Sequence, residues 1–330
     1  TVFGLRHTND EVYSAVTNFY GRSGTDILET DGNKVTGRFV IEKDIDDNTM
    51  VFGSFTRGYK PGGSNLTYGR EDVVAQIVVL PTFEEEIVDA FEVGLKTDLA
   101  GGRVRLNTAA FLYNYEGLQY QATDPEVFEG GVGNIPDSEI YGAELELSAF
   151  LSDDVILDLR MSWLDTEITA DHLALDNVES ESATNALLAQ GIGLFSNDVQ
   201  IARAGRIQNV RGNELAKTPS FTGNVSLNWT DSLNWGELKG TIQYTYRGGF
   251  KHRIFNNNTT DVVPNYDVLD VMLGFYPAGA QNNLRFEVIG KNLFDKDGIN
   301  ARFTDVFGVG ATGDELIAPR QIMLRIGAEF

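Results

Sequence analysis

The sequence predicts an antiparallel transmembrane β-barrel, and three observations carry that prediction. Apolar side chains recur at every second position in about a dozen segments. The connections between those segments alternate between short and long. The alternation also runs on to the final residue, Phe330, where a soluble domain would let its terminus fray.

Each strand is readable in turn. Val2–Thr8 reads as the tail of a first strand, followed by Val35–Lys43 and Met50–Arg57. Phe91, Val93 and Leu95 alternate with Glu92, Gly94 and Lys96; past Ala100-Gly101-Gly102, Val104, Leu106, Thr108, Ala110 and Leu112 alternate with Arg103, Arg105 and Asn107. Tyr141, Ala143, Leu145 and Leu147 face away from Gly142, Glu144, Glu146 and Ser148. Val155, Leu157, Leu159, Met161 and Trp163 oppose Asp158, Arg160 and Ser162. Phe221, Val225, Leu227 and Trp229 alternate with Thr222, Asn224, Ser226 and Asn228. Leu238, Ile242, Tyr244 and Tyr246 follow, then Leu269, Val271, Leu273 and Phe275, then Leu284, Phe286 and Val288 against Arg285, Glu287 and Lys291. The closing strand sets Ile322, Leu324, Ile326, Ala328 and Phe330 against Gln321, Met323, Arg325, Gly327 and Glu329, an aromatic-terminated pattern of the kind read as a barrel-assembly signal.

A strand turns successive side chains to opposite faces, so every segment has one greasy and one polar face. Charged residues such as Glu144, Glu146, Asp158, Arg160 and Lys291 are too costly for a dry sandwich core, but they suit a wet lumen with lipid on the other side. A soluble sheet would need an apolar layer over that greasy face, and too few amphipathic helices are in sight to build one. No apolar run approaches the ~18 residues of a transmembrane helix.

Short connections are expected near Ile45–Asn48, Leu99–Gly102, Leu151–Asp154, Thr230–Trp235 and Pro277–Asn283. Long ones are expected near Asn9–Lys34, Gly58–Glu84, Glu116–Gly133, Thr166–Lys217, Arg247–Pro264 and Asp295–Ala318. Short turns at one rim and long loops at the other place the short ones on the periplasmic side. Within the longest loop, Ser182-Ala183-Thr184-Asn185 starts either a short helix running to Ala189 or a plain apolar plug.

The net charge of −22 argues against nucleic acid as a partner. Without cysteine there is no disulfide, thiolate site or thiol nucleophile. His7, His172 and His252 show no ligand spacing, and no nucleophile elbow, phosphate loop or zinc-protease motif occurs. Asp44-Ile45-Asp46-Asp47-Asn48 resembles a calcium loop but lacks its glycine and distal glutamate. No catalytic residue, metal site or cofactor is therefore expected.

Several phrases resemble those of TonB-dependent outer-membrane receptors. Phe55-Thr56-Arg57-Gly58-Tyr59-Lys60-Pro61-Gly62-Gly63 is similar to the phrase that ends an ascending strand in that family. Phe91–Lys96 resembles its E-x-G-x-K strand, and Ile140–Glu146 its Y-G-x-E-x-E strand. Lys217-Thr218-Pro219, Gly290–Lys296 and Pro319-Arg320 follow in family order, and Gly4–Asp10 resembles a mid-barrel strand. Physically, these phrases are mainly architectural: Gly142 suits close backbone approach in a curved wall, and Asn292 and Asp295 cap their own turn.

The resemblance implies that residues 1–330 are the C-terminal part of the barrel, about 12 of 22 strands, without the plug domain. It implies a Gram-negative outer-membrane location among lipid and lipopolysaccharide, insertion by the barrel-assembly machinery, and coupling to the TonB complex through the missing plug and N-terminal motif. It also implies active uptake of a large scarce nutrient, first of all a ferric siderophore, and coupled uptake is not expected of this chain alone. A glycan or cobalamin receptor, a passive porin-like channel and, more remotely, a soluble β-rich carbohydrate-binding protein or enzyme are the alternatives. Ligand contacts are sought at the long-loop rim: Arg57, Tyr59, Tyr115, Tyr120, Arg247, His252 and Arg253. Tyr115, Tyr120, Trp163 and Tyr246 also suit an interfacial girdle.

Overall fold

The computed structural model describes residues 1–17, 25–65, 79–123, 130–279, 284–304 and 311–328. Twelve strands make one sheet, each hydrogen-bonded to its predecessor and successor in the chain. They are β1 (Val2–Thr17), β2 (Thr25–Asp46), β3 (Thr49–Lys60), β4 (Glu86–Leu99), β5 (Val104–Thr123) and β6 (Gly130–Phe150). The second half is β7 (Val155–Ile168), β8 (Phe221–Leu233), β9 (Gly236–Arg247), β10 (Tyr266–Pro277), β11 (Arg285–Lys291) and β12 (Gln321–Gly327). Every pairing is antiparallel. The sheet is not closed: β1 and β12 are its two edges.

The register makes the two faces continuous across strands. Directly opposed residues share a face, and one row runs Leu157, Leu227, Ile242, Val271, Gly290, Ile322. The next runs Trp229, Gly240, Leu273, Val288, Leu324, and a third, nearer the long loops, runs Phe39, Phe55, Phe91, Leu112, Tyr141. These side chains stand open: Phe91, Leu273 and Leu324 are 45%, 50% and 81% exposed. On the reverse face run Asn107, Glu146, Arg160, Asn224, Thr245 and then Ser148, Asp158, Ser226, Gln243, Asp270. Charges there neutralise one another, with Lys291 2.9 Å from Asp270 and Arg325 paired to Glu287. Arg103 is an exception: it sits in the turn before β5 and pairs with Asp153.

Four of the short turns lie where expected, and most of the fifth, at Pro277–Asn283, lies outside the described residues. The long connections do not all survive as loops. Asn9–Lys34 and Glu116–Gly133 are largely strand, because β1–β2 and β5–β6 continue as hairpins well past their apolar sections. Backbone pairing needs no greasy face, so lipid-facing alternation marks only the membrane-contacting part of a strand. β5 and β6 run 20 and 21 residues, about twice what a bilayer requires. Gly117 bends β5 midway, at φ 68, where a Cβ would fall 2.5 Å from the Glu85 carbonyl oxygen. Gly142 allows the close approach expected of it: a Cβ would meet the Trp163 carbonyl oxygen at 2.3 Å and the Phe111 ring at 2.7 Å.

The buried apolar cluster is not between the faces of the wall. Ile135, Ile168, Ala174, Val210, Leu215 and Ile254 gather where the long loops converge, with Leu118, Tyr120 and Ile140 packed against them. A soluble sandwich would bury its strand faces instead. Here the apolar strand face is largely open, and the core lies among the loops and the loop-side ends of β5, β6 and β7.

Candidate functional site

The longest loop folds into a helical hairpin. Helix α1 (Asn177–Leu188) and helix α2 (Asn197–Ala204) sit between two strand segments, Leu173–Leu175 and Ile207–Asn209, that pair with each other. The helix expected from Ser182 begins earlier, because Asp176 caps it: its carboxylate accepts from the Val178 and Glu179 backbone N–H groups. Asp176 with Glu179 three residues on is the capping signal that could have placed the start, and Ser196 does the same for α2. Arg203 of α2 is buried against Glu181 of α1 at 2.9 Å.

Two further loop hairpins lean on this one. The first pairs Phe250–Lys251 with Val262–Val263, the second Ile299–Thr304 with Thr312–Leu316. Arg253 ties the first to α1. Its guanidinium donates to Asp176 at 2.7 Å, to Asn177 at 2.8 Å and to Asp261 at 2.7 Å, and lies over the Phe255 ring. Both carboxylates are fully buried. Arg302 ties the second to the first, donating to the Thr260 and Val262 carbonyls while gripping Asp314. That grip holds the Asp314 carboxyl below the usual carboxylate range.

The loops and the loop-side ends of β5 and β6 line an open cavity of about 500 Å³. Tyr115, Leu118 and Tyr120 of β5, Lys217 and Thr218 before β8, and Phe303 of the last hairpin supply its character. Tyr120 is fixed by His172, whose Nε2 lies 2.8 Å from the phenol oxygen with the rings edge to face. Burial holds the His172 pKa below its ordinary value, so the ring stays neutral near pH 7. Apolar walls with few polar groups suit a bulky ligand with an anionic or hydrogen-bonding part.

The predicted contact residues therefore divide. Tyr115, Tyr120, His252 and Arg253 converge on the cavity. Arg253 has its donors committed to Asp176, Asn177 and Asp261 and braces the walls. Arg57 stands on the apolar face, two residues from Phe55 and opposite Asp89, with which it forms an ion pair. Tyr59 hydrogen-bonds Asp10 of β1. Arg247 stacks on Phe250 and Tyr266 and donates to the Asn300 and Ile299 carbonyls, holding the last hairpin to the rim. Trp163 and Tyr246 fit the girdle on the apolar face; Tyr115 and Tyr120 do not, being turned into the cavity. Leu118, Lys217 and Phe303 also line the cavity and are not among the residues expected from the sequence. Lys217 was visible only as the start of a strand-opening phrase, and its positive φ of 63 aims the chain into the cavity wall.

At the closing strand, Ile322, Leu324 and Ile326 project from the apolar face, Ala328 follows the strand end, and Phe330 lies outside the described residues.

The family profile described as TonB dependent receptor-like, beta-barrel matches residues 1–293. The chain belongs to this family. Among solved structures it is similar to the ferric yersiniabactin uptake receptor FyuA from Yersinia pestis, at 18% identity and a TM-score of 0.69 over 99% of this chain and 42% of that one. It is similar also to the siderophore receptor PiuA from Acinetobacter baumannii, at 16% identity and 0.68, over 98% and 40%. The copper transporter OprC follows at 13% and 0.61, over 98% and 44%. The chain thus spans less than half of each receptor, and the likeness is one of fold. TonB-dependent receptor barrels are outer-membrane β-barrels. Among the described residues no helix is long and apolar enough to cross a membrane.

Proposed function

We propose that this chain forms the C-terminal wall and loop layer of an outer-membrane receptor whose cargo is a ferric siderophore. The TonB complex would drive uptake through a plug supplied from outside residues 1–330. The observation that carries the reading is the loop cavity, walled by Tyr115, Leu118, Tyr120 and Phe303 and edged by Lys217. Aromatic rings give area to a bulky chelate, and the ammonium favours an anionic one. FyuA and PiuA bear siderophore names, which supports the class of cargo; OprC, named for copper, marks the competing one.

The test is uptake of radiolabelled ferric chelates by cells that lack their own receptors and express the receptor carrying this chain. Uptake that needs TonB, and that drops about tenfold or more in Tyr120→Ala and Lys217→Glu, is expected (tenfold in affinity is ~1.4 kcal/mol). TonB-independent flux would favour the porin-like alternative. Copper, cobalamin or glycan uptake without iron would reassign the cargo.

A further inference from the structure

The loop layer holds a buried imidazole at the joint between two hairpins. His252 follows the strand pair Phe250–Lys251, its side chain is buried, and its backbone N–H donates to the Asp261 carbonyl at 2.7 Å. Its Nε2 lies 2.9 Å from the hydroxyl of Thr304, on the last hairpin, and that hydroxyl is 3.0 Å from Thr312 on the opposite arm. One ring thus joins both hairpins and both arms of the second. Its Nδ1 is buried with no hydrogen-bond partner among the described residues.

Charged groups from three segments act on the ring. Lys217 comes from the segment before β8, Arg253 from its own hairpin, and Arg302 and Asp314 from the last hairpin. Among the described residues three cations thus stand against one carboxylate, and that carboxylate is already held by Arg302 at 2.8 Å. Asp176 and Asp261 are engaged by Arg253.

We propose that His252 is a proton-sensitive pin: neutral, it holds the paired strands Ile299–Thr304 and Thr312–Leu316 against the 250–263 hairpin at the receptor mouth, and protonated, it lets those strands go. An imidazolium carries two N–H donors. Nε2–H has Thr304, but among the described residues Nδ1–H meets no acceptor, and the imidazolium adds a fourth positive charge beside Lys217, Arg253 and Arg302. The cost is relieved only by moving the ring into water, which breaks the bond to Thr304.

The direction with pH follows. Burial, then the neighbouring cations, push the folded-state pKa down from 6.5 to about 4. The unfolded or released ring takes a proton near 6.5, the pinned ring only near 4. The pin is therefore at full strength above pH 6.5, weakens as pH falls through that window, and is lost near pH 4.

The chain has no cysteine, so Thr259→Cys and Gly313→Cys place one spin label on each hairpin of the intact protein in nanodiscs. Both positions are exposed, and a Cβ at 313 meets nothing within 4 Å. The inter-label distance should be short and narrow at pH 7 and become long and broad between pH 5 and 4, about the depressed value. The same pair in His252→Gln, which keeps an amide nitrogen for Thr304 but does not titrate, should stay closed over that range. An unchanged wild-type distance down to pH 3.5 overturns the proposal, as does opening of the Gln variant at the wild-type pH, which would assign release to carboxylates. Should the Gln variant fail to fold, histidine-selective NMR decides. The chain has three imidazoles, and a His252 resonance titrating near 6.5 with the hairpin still docked overturns the pin. Neither readout depends on the identity of the cargo.

Discussion

Arg253 shows how far a single residue's role depends on partners that are distant in sequence. Read along the chain it is a cation in a long loop, fit to bind an anionic ligand. In the fold it is committed to Asp176, 77 positions away, and to Asp261. Both carboxylates are fully buried, so Arg253→Ala leaves two uncompensated buried charges and should cost the loop layer about 3–5 kcal/mol. Limited proteolysis of the helical hairpin in the intact receptor checks this: the variant should be cut far faster than wild type, and equal resistance would show the bridge to be dispensable. Arg253→Lys should restore resistance only in part, because an ammonium cannot serve all these acceptors in the guanidinium's planar geometry. Arg57 teaches the same lesson on the other face, where Asp89 lies opposite it across the strand pair. The residue types that favour ligand contact are also those that build ion pairs, and sequence reading alone does not separate the two.

At the scale of the element, the wall was legible and the loop layer was not. Alternation and tight turns are local signals, and they gave each strand its membrane-contacting section. Strand extension beyond that section has no apolar signature: β1 and β2 pair from Val2↔Val40 to Thr17↔Thr25 through mostly polar side chains. The loop core escaped for a different reason. Ile135 lies on β6 and Val210 and Ile254 in two separate connections, and the three meet only when the wall brings those connections to one rim. The helical hairpin carried real but small signals, the capping residues Asp176 and Ser196. Gly142 was legible as a position needing close approach. Gly142→Val, which drives a branched side chain into the Trp163 carbonyl and the Phe111 ring, should destabilise the wall by about 1–3 kcal/mol. A lower temperature of transition from folded to unfolded migration on unheated gels measures that loss; unchanged migration would mean that β6 and β7 spread to admit it.

For the molecule as a whole, the distribution of apolar surface separates a membrane wall from a soluble sheet. The large buried side chains lie in the loops and at the loop-side ends of β6 and β7, while Phe91, Val93, Leu273, Val288, Ile322, Leu324 and Ile326 stand open on one face of the sheet. That much apolar surface in water marks an interaction surface, and continuity across strands with polar residues behind it makes lipid the matching solvent. The edges β1 and β12 carry unpaired backbone groups, which in hydrocarbon must find partners. This fits a chain that spans less than half of each receptor it matches. The measurement that bears most directly on the wall is single-cysteine labelling across β8 and β9 of the receptor in outer membranes, against a chain that has no cysteine of its own. Cysteines at Leu227 and Ile242 should react with a lipid-soluble maleimide and resist a membrane-impermeant one, while those at Ser226 and Gln243 should show the reverse. Equal reaction of all four positions with the impermeant reagent would contradict a lipid-facing wall.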